Sequence, residues 1–154
     1  MTLYFAYGSN MNRALMRQHC PNAEEVGTAA LCGCRFMITT DGYASIVPNR
    51  GGRVHGVLWR LSVRDLAALN SYESIESGLY SKLTLSVRKD RRRLTATLYV
   101  GRSRTAGRPK PGYLNVILDA AREWSLPAPY VRSLQRWSAT RWRGARAAES
   151  GELG

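Results

Sequence analysis

Two carboxylates in one short segment are the strongest candidates for chemistry in this chain. Glu73 and Glu76 follow a predicted helix within L-N-S-Y-E-S-I-E-S-G-L-Y at 69–80. A carboxylate at the exit of a packed helix, flanked by Tyr72 and Tyr80, can be partly desolvated, which raises its pKa and makes it a better general base near neutrality. Spacing alone does not choose between the two glutamates. Two solvated loop glutamates are the simpler alternative for this segment taken by itself.

The first eleven residues hold a second feature with chemical potential. An apolar run at 3–7 predicts a short buried strand, which stops at Gly8, Ser9 and Asn10, where a helix begins. A strand that ends in such a turn directs several backbone N–H groups at one spot, where carboxylate or phosphate oxygens bind. We therefore expect an anionic group to bind here. The alternative for Ser9 is an ordinary helix N-cap.

Other kinds of site find little support in the sequence. His19 and His55 are the two histidines available to activate a nucleophile, and Ser9 does not lie in a G-x-S-x-G elbow. His55 alternates with apolar residues, which is typical of a histidine on a sheet face. Metal-ligand spacings, G-x-G-x-x-G and Walker-type loops are absent from the sequence. We expect chemistry that needs no cofactor, metal or nucleotide.

Composition predicts one globular domain of ordinary hydrophobicity. The chain has 154 residues, of which 44% are hydrophobic, and no apolar run approaches the roughly 20 residues that a membrane span needs. We expect the domain to occupy 1–142 and to be followed by a frayed tail at 143–154. Met1 leads directly into a strand, without a signal sequence. Three cysteines without C-x-x-C spacing favour reduced thiols and a cytoplasmic location.

The net charge of +12, from 23 basic and 11 acidic residues, raises a nucleic-acid hypothesis. The basic residues are dispersed, however, over R-K-D-R-R-R at 88–93, the loop at 102–110 and the C-terminal region. No helix-turn-helix, RNP or zinc-finger pattern accompanies them. A solvated basic surface is the favoured interpretation, and steering of anionic substrates is the alternative.

Periodicity and turn residues predict an α+β fold, in which a small, mixed, mostly antiparallel curved sheet or barrel is surrounded by about four helices. The predicted strands are 3–7, 26–38 with a break near Gly33, 43–48, 54–61, 80–87 and 94–100. A turn at 50–53 separates the third from the fourth, and a hairpin joins the last two. The predicted helices are 10–19, 113–124, 129–137 and one begun by Ser62, with Asp65 as capping-box partner, that ends near Tyr72.

Several ordered motifs resemble those of the γ-glutamylcyclotransferases, also called the AIG2-like family. The matching segments are Y-F-A-Y-G-S-N-M at 4–11, A-S-I at 44–46, V-H-G-V-L-W at 54–59, L-N-S-Y-E-S-I-E-S-G-L-Y at 69–80 and P-G-Y-L-N-V at 111–116. The resemblance runs from residue 3 to about 137. This chain departs from the family pattern at Asn70, where an Asp is usual, and at Ser74, where a Gly is usual.

The resemblance implies a reaction and a set of site residues. A γ-glutamyl amino acid or amine would cyclise to 5-oxoproline and release its amine. The family pattern selects Glu73 as the catalytic acid/base and leaves Glu76 on a variable position. The residues implied to bind substrate are Tyr4, Phe5, Ala6, Tyr7, Gly8, Ser9, Asn10, Tyr80 and Tyr113.

The implied partner is a small molecule, neither a membrane nor a nucleic acid, and a homodimer is compatible with the sequence. Two other functions stay open at this point. One is a relative specific for a γ-glutamylated biosynthetic intermediate. The other is a non-catalytic basic module on the same scaffold, which would bind nucleic acid.

Overall fold

Five strands close into a barrel in the order β1-β3-β2-β4-β5. The computed structural model describes residues 1–73 and 78–138. Its strands are β1 (Thr2–Ala6), β2 (Glu24–Ile38), β3 (Ala44–Leu61), β4 (Tyr80–Lys89) and β5 (Arg92–Gly101). Its helices are α1 (Arg13–His19), α2 (Val63–Tyr72), α3 (Tyr113–Glu123) and α4 (Ala128–Gln135), and a 3₁₀ turn covers Ser9–Met11. Neighbouring strands are antiparallel except β1 and β5, so the predicted mixed, mostly antiparallel fold is confirmed.

The barrel interior and the helices share one apolar core. Phe5, Leu58 and Leu98 are fully buried on three different strands, and Ile117 of α3 is fully buried with them. The burial of the three strand residues follows from alternation, because side chains at every second strand position face the same side of the sheet. The Trp124 indole at the end of α3 donates a 2.8 Å hydrogen bond to the Met11 carbonyl, which fixes α3 against the 3₁₀ turn.

The predicted helix 10–19 is in fact two elements. The 3₁₀ turn ends at Met11, Asn12 adopts an extended conformation, and α1 then begins at Arg13. The Asn12 side chain caps α1 by accepting a 2.9 Å hydrogen bond from the Leu15 N–H. Ser9 is therefore not the N-cap of the helix. The interruption arises because the short polar side chain of Asn12 stabilises a new helix start.

The predicted turn at 50–53 is also wrong, because β3 is one continuous strand of 18 residues. Its pairing with β2 shifts register between Cys32 and Cys34, where four residues of β3 lie opposite Gly33. A bulge thus absorbs the turn-like residues within the strand. No other residue type fits at Gly52, because a Cβ atom would lie 2.5 Å from the Cys34 carbonyl oxygen. The break predicted near Gly33 is this bulge.

The hairpin and the Ser62 cap are confirmed. β4 and β5 pair from Tyr80 with Gly101 to Lys89 with Arg92. The Ser62 hydroxyl accepts a 3.1 Å hydrogen bond from the Asp65 N–H. The Asp65 carboxylate does not complete the capping box, because it is buried and accepts from the Asn22 N–H at 3.1 Å. This bond ties the start of α2 to the segment after α1.

No helix in residues 1–73 and 78–138 is long and apolar enough to cross a membrane. Ser74, Glu76 and the predicted tail at 143–154 lie outside the described residues.

Candidate active site

One pocket opens where β1 leaves the barrel and the 3₁₀ turn begins. It has a volume of about 350 Å³, open solvent included. Its lining residues are Tyr4, Phe5, Tyr7, Gly8, Ser9, Asn10, Ala44, Glu73, Tyr80, Tyr99 and Tyr113. The pocket therefore brings together the N-terminal segment, the start of β3, the end of α2, both strands of the hairpin and the start of α3.

Every residue that the sequence analysis assigned to the site lines this pocket except Ala6. Ala6 is buried in the core, and its carbonyl oxygen would lie 2.4 Å from a Cβ atom at Gly56. Ala6 therefore packs β1 against β3. Two lining residues escaped the sequence analysis. For Ala44 the signal was its place at the start of the A-S-I segment. For Tyr99 the one signal was a polar hydroxyl group between the apolar residues Leu98 and Val100 of β5.

Glu73 brings a carboxylate into the pocket. It follows the last residue of α2, where its backbone N–H donates a 2.9 Å hydrogen bond to the Leu69 carbonyl. Burial raises the pKa of its carboxyl from 4.5 to about 7, because water no longer solvates the charged form fully. Glu73 forms no ion pair with any residue that the structure describes. A carboxyl in this state can accept and return a proton near neutral pH.

Three of the five pocket tyrosines donate their hydroxyl protons to other protein groups. The Tyr7 hydroxyl donates to the Tyr99 carbonyl, and the Tyr99 hydroxyl donates to the Asn70 side-chain oxygen at 2.5 Å. The Tyr80 hydroxyl donates more weakly, over 3.4 Å, to the Ala44 carbonyl. Asn70, at the position where the family usually has Asp, thus holds Tyr99 against α2. These three hydroxyl groups shape the wall of the pocket.

Tyr4 and Tyr113 have the opposite arrangement, because each accepts a hydrogen bond from a fixed donor. The Tyr113 oxygen accepts from the Ala44 N–H at 3.0 Å, and the Tyr4 oxygen accepts from the Asn10 amide at 3.1 Å. The Ser9 hydroxyl also lies beside Tyr113. An acceptor oxygen of this kind keeps its own O–H to donate. The pocket therefore presents two phenol donors to a ligand.

Asn10 fixes the orientation of Tyr4 from beneath the pocket. Its buried side-chain oxygen lies 3.3 Å from Nδ1 of His19, and its backbone carbonyl accepts from the Trp59 indole at 3.1 Å. The His19 ring in turn packs on Tyr72, with ring centroids 3.8 Å apart. With its oxygen beside His19, the Asn10 amide directs its NH₂ group at Tyr4.

Gly8 makes room for this arrangement. A Cβ atom at Gly8 would lie 3.1 Å from the Tyr113 hydroxyl oxygen and 3.3 Å from the Ala44 Cβ. The backbone N–H groups of Ser9 and Asn10 come at the start of the 3₁₀ turn, where no carbonyl of the turn can accept from them. The segment thus combines close backbone approach with free donors.

Among residues 1–73 and 78–138, no group of three His, Cys, Asp or Glu side chains is placed to hold a metal ion. His55 lies away from the pocket, on β3, where its ring packs on Tyr130 at 4.8 Å. This position agrees with the interpretation of His55 as an ordinary histidine on a sheet face rather than as a residue that activates a nucleophile.

Comparison with known proteins places this architecture in a family. The model of the AIG2-like family matches residues 53–134. The chain is similar to γ-glutamylcyclotransferase of Mus musculus, at 27% identity over 92% of this chain and 81% of that protein. The Bos taurus γ-glutamylcyclotransferase is 28% identical with the same coverage. A solved structure of a γ-glutamyl cyclotransferase superimposes with a TM-score of 0.82 at 26% identity, covering 87% of this chain and 86% of that one. Because the family model matches more than half of its length, the chain belongs to the AIG2-like family.

Proposed function

We propose that the protein is a γ-glutamylcyclotransferase, which converts a γ-glutamyl amino acid or amine to 5-oxoproline and the free amine with Glu73 as general acid/base. The observation that carries the proposal is a carboxyl of raised pKa, with no ion-pair partner among residues 1–73 and 78–138, in a tyrosine-lined pocket. The matched relatives are named for this activity.

The reaction is an internal transfer of the γ-glutamyl acyl group. Glu73 takes a proton from the α-ammonium group of the substrate, and the freed amine nitrogen attacks the γ-carbonyl carbon. A C–N bond of the lactam forms, and the carbonyl oxygen becomes an oxyanion. Glu73 returns its proton to the leaving nitrogen as the bond to that nitrogen breaks. The lactam nitrogen still carries one surplus proton, which passes to the released amine, so the products are the neutral lactam ring of 5-oxoproline and an ammonium ion. Atoms and charge then balance without water or any co-reactant.

The pKa of Glu73 suits both halves of this proton transfer. A carboxyl with a pKa of about 7 is ionised in a substantial fraction of molecules at neutral pH, yet is a stronger base than an exposed glutamate. Proton transfer by such a group contributes roughly 10² to 10⁴ in rate. The neutral form is stable enough in the pocket to hold the proton until the leaving nitrogen takes it.

The remaining groups hold the substrate bent and stabilise its charge. Intramolecular attack in the correct orientation is worth roughly 7–11 kcal/mol. Tyr4 and Tyr113 each have an O–H available for a substrate carboxylate or the oxyanion. The N–H groups of Ser9 and Asn10 supply further donors at the same spot. Tyr80 and Tyr99 form the wall that orients Glu73 and the substrate chain.

Location and assembly belong to the same proposal. Cys20, Cys32 and Cys34 are unpaired thiols, which favours a reducing compartment such as the cytoplasm. A homodimer stays a prediction, which light scattering would check.

The decisive assay measures 5-oxoproline release from a panel of γ-glutamyl amino acids and γ-glutamyl amines. We expect wild type to turn over at least one substrate and Glu73→Gln, with the same shape and no ionisable group, to be inactive. Asp41→Asn is the matched control, because it removes a carboxyl that does not line this pocket. The best substrate separates an enzyme of broad type from one specific for a biosynthetic intermediate. Equal release by wild type and Glu73→Gln would remove Glu73 from the mechanism.

A further inference from the structure

A second concave surface lies on the outside of the barrel, where β2 meets β4. Two adjoining clefts share Ala30, Cys32 and Arg88. The first cleft, of about 740 Å³ with open solvent included, also contains Arg53 and His55. The second also contains Arg93. We call the combined surface the basic groove and define it by Ala30, Cys32, Arg53, His55, Arg88 and Arg93. None of these residues lines the pocket of Glu73.

Strand register explains why these side chains converge. Arg93 pairs with Arg88, Arg88 with Ala30, and Ala30 with His55, so the four residues form one row across four strands. Residues paired in this way point to the same face of a sheet. Cys32 pairs with Arg53 in the adjacent row. The alternate residues Leu31, Val54 and Val87 are buried inside the barrel, so the row faces outward.

The charges of the groove are not neutralised by the protein. Arg53, Arg88 and Arg93 form no ion pair with any residue in the described parts of the chain. Arg88 and Arg93 lie directly opposite one another, which destabilises the strand pair. Asp90 also lines the first cleft, and its carboxylate pairs with Lys89 at 3.8 Å. An anion bound in the groove would offset the repulsion between Arg88 and Arg93.

The spacing of the cations indicates an extended ligand. Adjacent strands are about 4.8 Å apart and alternate residues of one strand about 6.6 Å apart, so the three arginines span about 15 Å. One phosphate group cannot contact all three, whereas a chain of linked phosphates can. His55 is the one aromatic side chain that lines the two clefts among the residues described, and both burial and the Arg53 charge lower its pKa. The groove thus offers cations for phosphates but no platform on which bases would stack.

From these contacts we propose that the basic groove binds an extended chain of phosphates, by backbone charge alone, at a site separate from the pocket of Glu73. The ligand is inorganic polyphosphate, because the groove offers charge without a stacking platform for bases, and the backbone of an oligonucleotide serves only as a labelled stand-in for it. Arg88 lies about 26 Å from the pocket residue Tyr80 along β4. His55 is closer to the pocket, because Val57, two residues further along β3, pairs with Ala6 beside Tyr7. The groove and the pocket share no lining residue, so phosphate-chain binding and enzyme activity can be assayed separately.

Binding is tested by fluorescence anisotropy with labelled oligothymidylate, with inorganic polyphosphate as competitor. Each arginine that contacts a phosphate of a single strand contributes about 0.7 to the slope of log affinity against log salt concentration. Loss of three such contacts in Arg53→Gln/Arg88→Gln/Arg93→Gln should therefore lower affinity about a hundredfold at about 0.1 M salt. Arg17→Gln/Arg104→Gln/Arg108→Gln loses the same charge from exposed positions elsewhere and should bind within about threefold of wild type. Equal losses in both variants, or no binding of either probe, would overturn the proposal.

Two further readouts locate the site and identify the ligand. Cys32 is exposed in the groove whereas Cys20 is buried, so bound polyphosphate should slow alkylation of Cys32. Unchanged alkylation at saturating polyphosphate would place the ligand elsewhere. Oligonucleotides of different base sequence should compete equally, because the groove reads no bases. Base-specific competition, or binding to phosphatidylserine vesicles without binding to either soluble probe, would contradict the proposal.

Discussion

The pocket of Glu73 and the basic groove hold charge in opposite ways. In the pocket one carboxyl is buried among tyrosines whose hydroxyl groups are fixed by hydrogen bonds, and its pKa rises to about 7. In the groove three guanidinium groups are exposed to water and unpaired among the described residues. Burial shifts the pKa of Glu73 into the range that suits proton transfer, whereas the exposed arginines keep their ordinary charge, and dissolved salt screens their electrostatic field. We therefore expect proton transfer in the pocket and charge recognition in the groove of the same barrel.

The largest expected effect is on the free energy of unfolding. Burial raises the pKa of Glu73, so the folded state disfavours its ionisation and loses stability as pH rises from about 4.5 to about 7. Glu73→Gln does not ionise and should exceed wild type by up to about 3 kcal/mol at about pH 8, with no gain at about pH 4. Urea unfolding at both pH values measures this difference.

Glu24→Gln is the control for that measurement. Glu24 is exposed and forms a surface ion pair with Arg60 at 3.4 Å, which is worth little. Its replacement should change the free energy of unfolding by less than about 1 kcal/mol at both pH values. If Glu73→Gln did not raise the free energy of unfolding at the higher pH, Glu73 would be solvated. The pocket would then hold an exposed charge, as the groove does.

The hydrogen-bond directions divide the pocket tyrosines. Tyr4→Phe and Tyr113→Phe each remove a donor aimed at the substrate, so kcat/KM should fall about 10- to 100-fold, as for hydrogen bonds to charged groups. Tyr80→Phe removes only a 3.4 Å bond to a carbonyl and should cost about threefold. Steady-state kinetics with one γ-glutamyl substrate distinguishes them. A larger loss for Tyr80→Phe would reverse the assignment.

A smaller effect is expected at Asn70, where this chain departs from the family pattern. Asn70→Asp adds a negative charge one helical turn before Glu73, and the Tyr99 hydroxyl remains able to donate to it. The like charge disfavours ionised Glu73, so the acid limb of the kcat/KM profile should move to higher pH by about half a pH unit. Asn70→Ser removes the bond without adding charge and should leave the limb in place. If the acid limb moved in both variants, the altered contact with Tyr99, rather than the added charge, would be the cause of the shift.

The smallest effect is expected when the groove is altered. The triple glutamine variant of Arg53, Arg88 and Arg93 should keep kcat/KM within about twofold, because none of the three side chains lines the pocket and exposed charges are screened beyond about 8 Å at physiological salt. Release of 5-oxoproline by this variant is the measurement. A tenfold loss would mean that the groove steers substrate and that the two regions are coupled.

Local signals in the sequence were sufficient for most elements of this fold. The hairpin, the Ser62 cap and both C-terminal helices follow from alternation, capping residues and turn residues within short windows. One of the two errors arose where long-range strand pairing decides the structure, and the other arose where two local signals compete. The bulge opposite Gly33 keeps β3 continuous through residues that would form a turn in isolation. Asn12, rather than Ser9, begins α1 because of a local cap that competes with the preceding turn.

The candidate site shows the same division between local and long-range information. Glu73 and the segment from Tyr7 to Asn10 could be named from motifs. Tyr99 could not, because its place in the pocket depends on closure of β5 against β1. Hydrogen-bond direction, which separates Tyr4 from Tyr99, requires knowing that Asn10 lies beneath one and Asn70 beside the other. Such relations exist only in the folded barrel.

The pH dependence of kcat/KM for 5-oxoproline release shows whether a buried, ionisable Glu73 is the base. The account predicts an acid limb with an apparent pKa near 7, because activity requires ionised Glu73. It also predicts that Glu73→Gln has no such limb at any measurable rate. A limb near 4.5 in wild type, or the same limb in Glu73→Gln, would contradict the account.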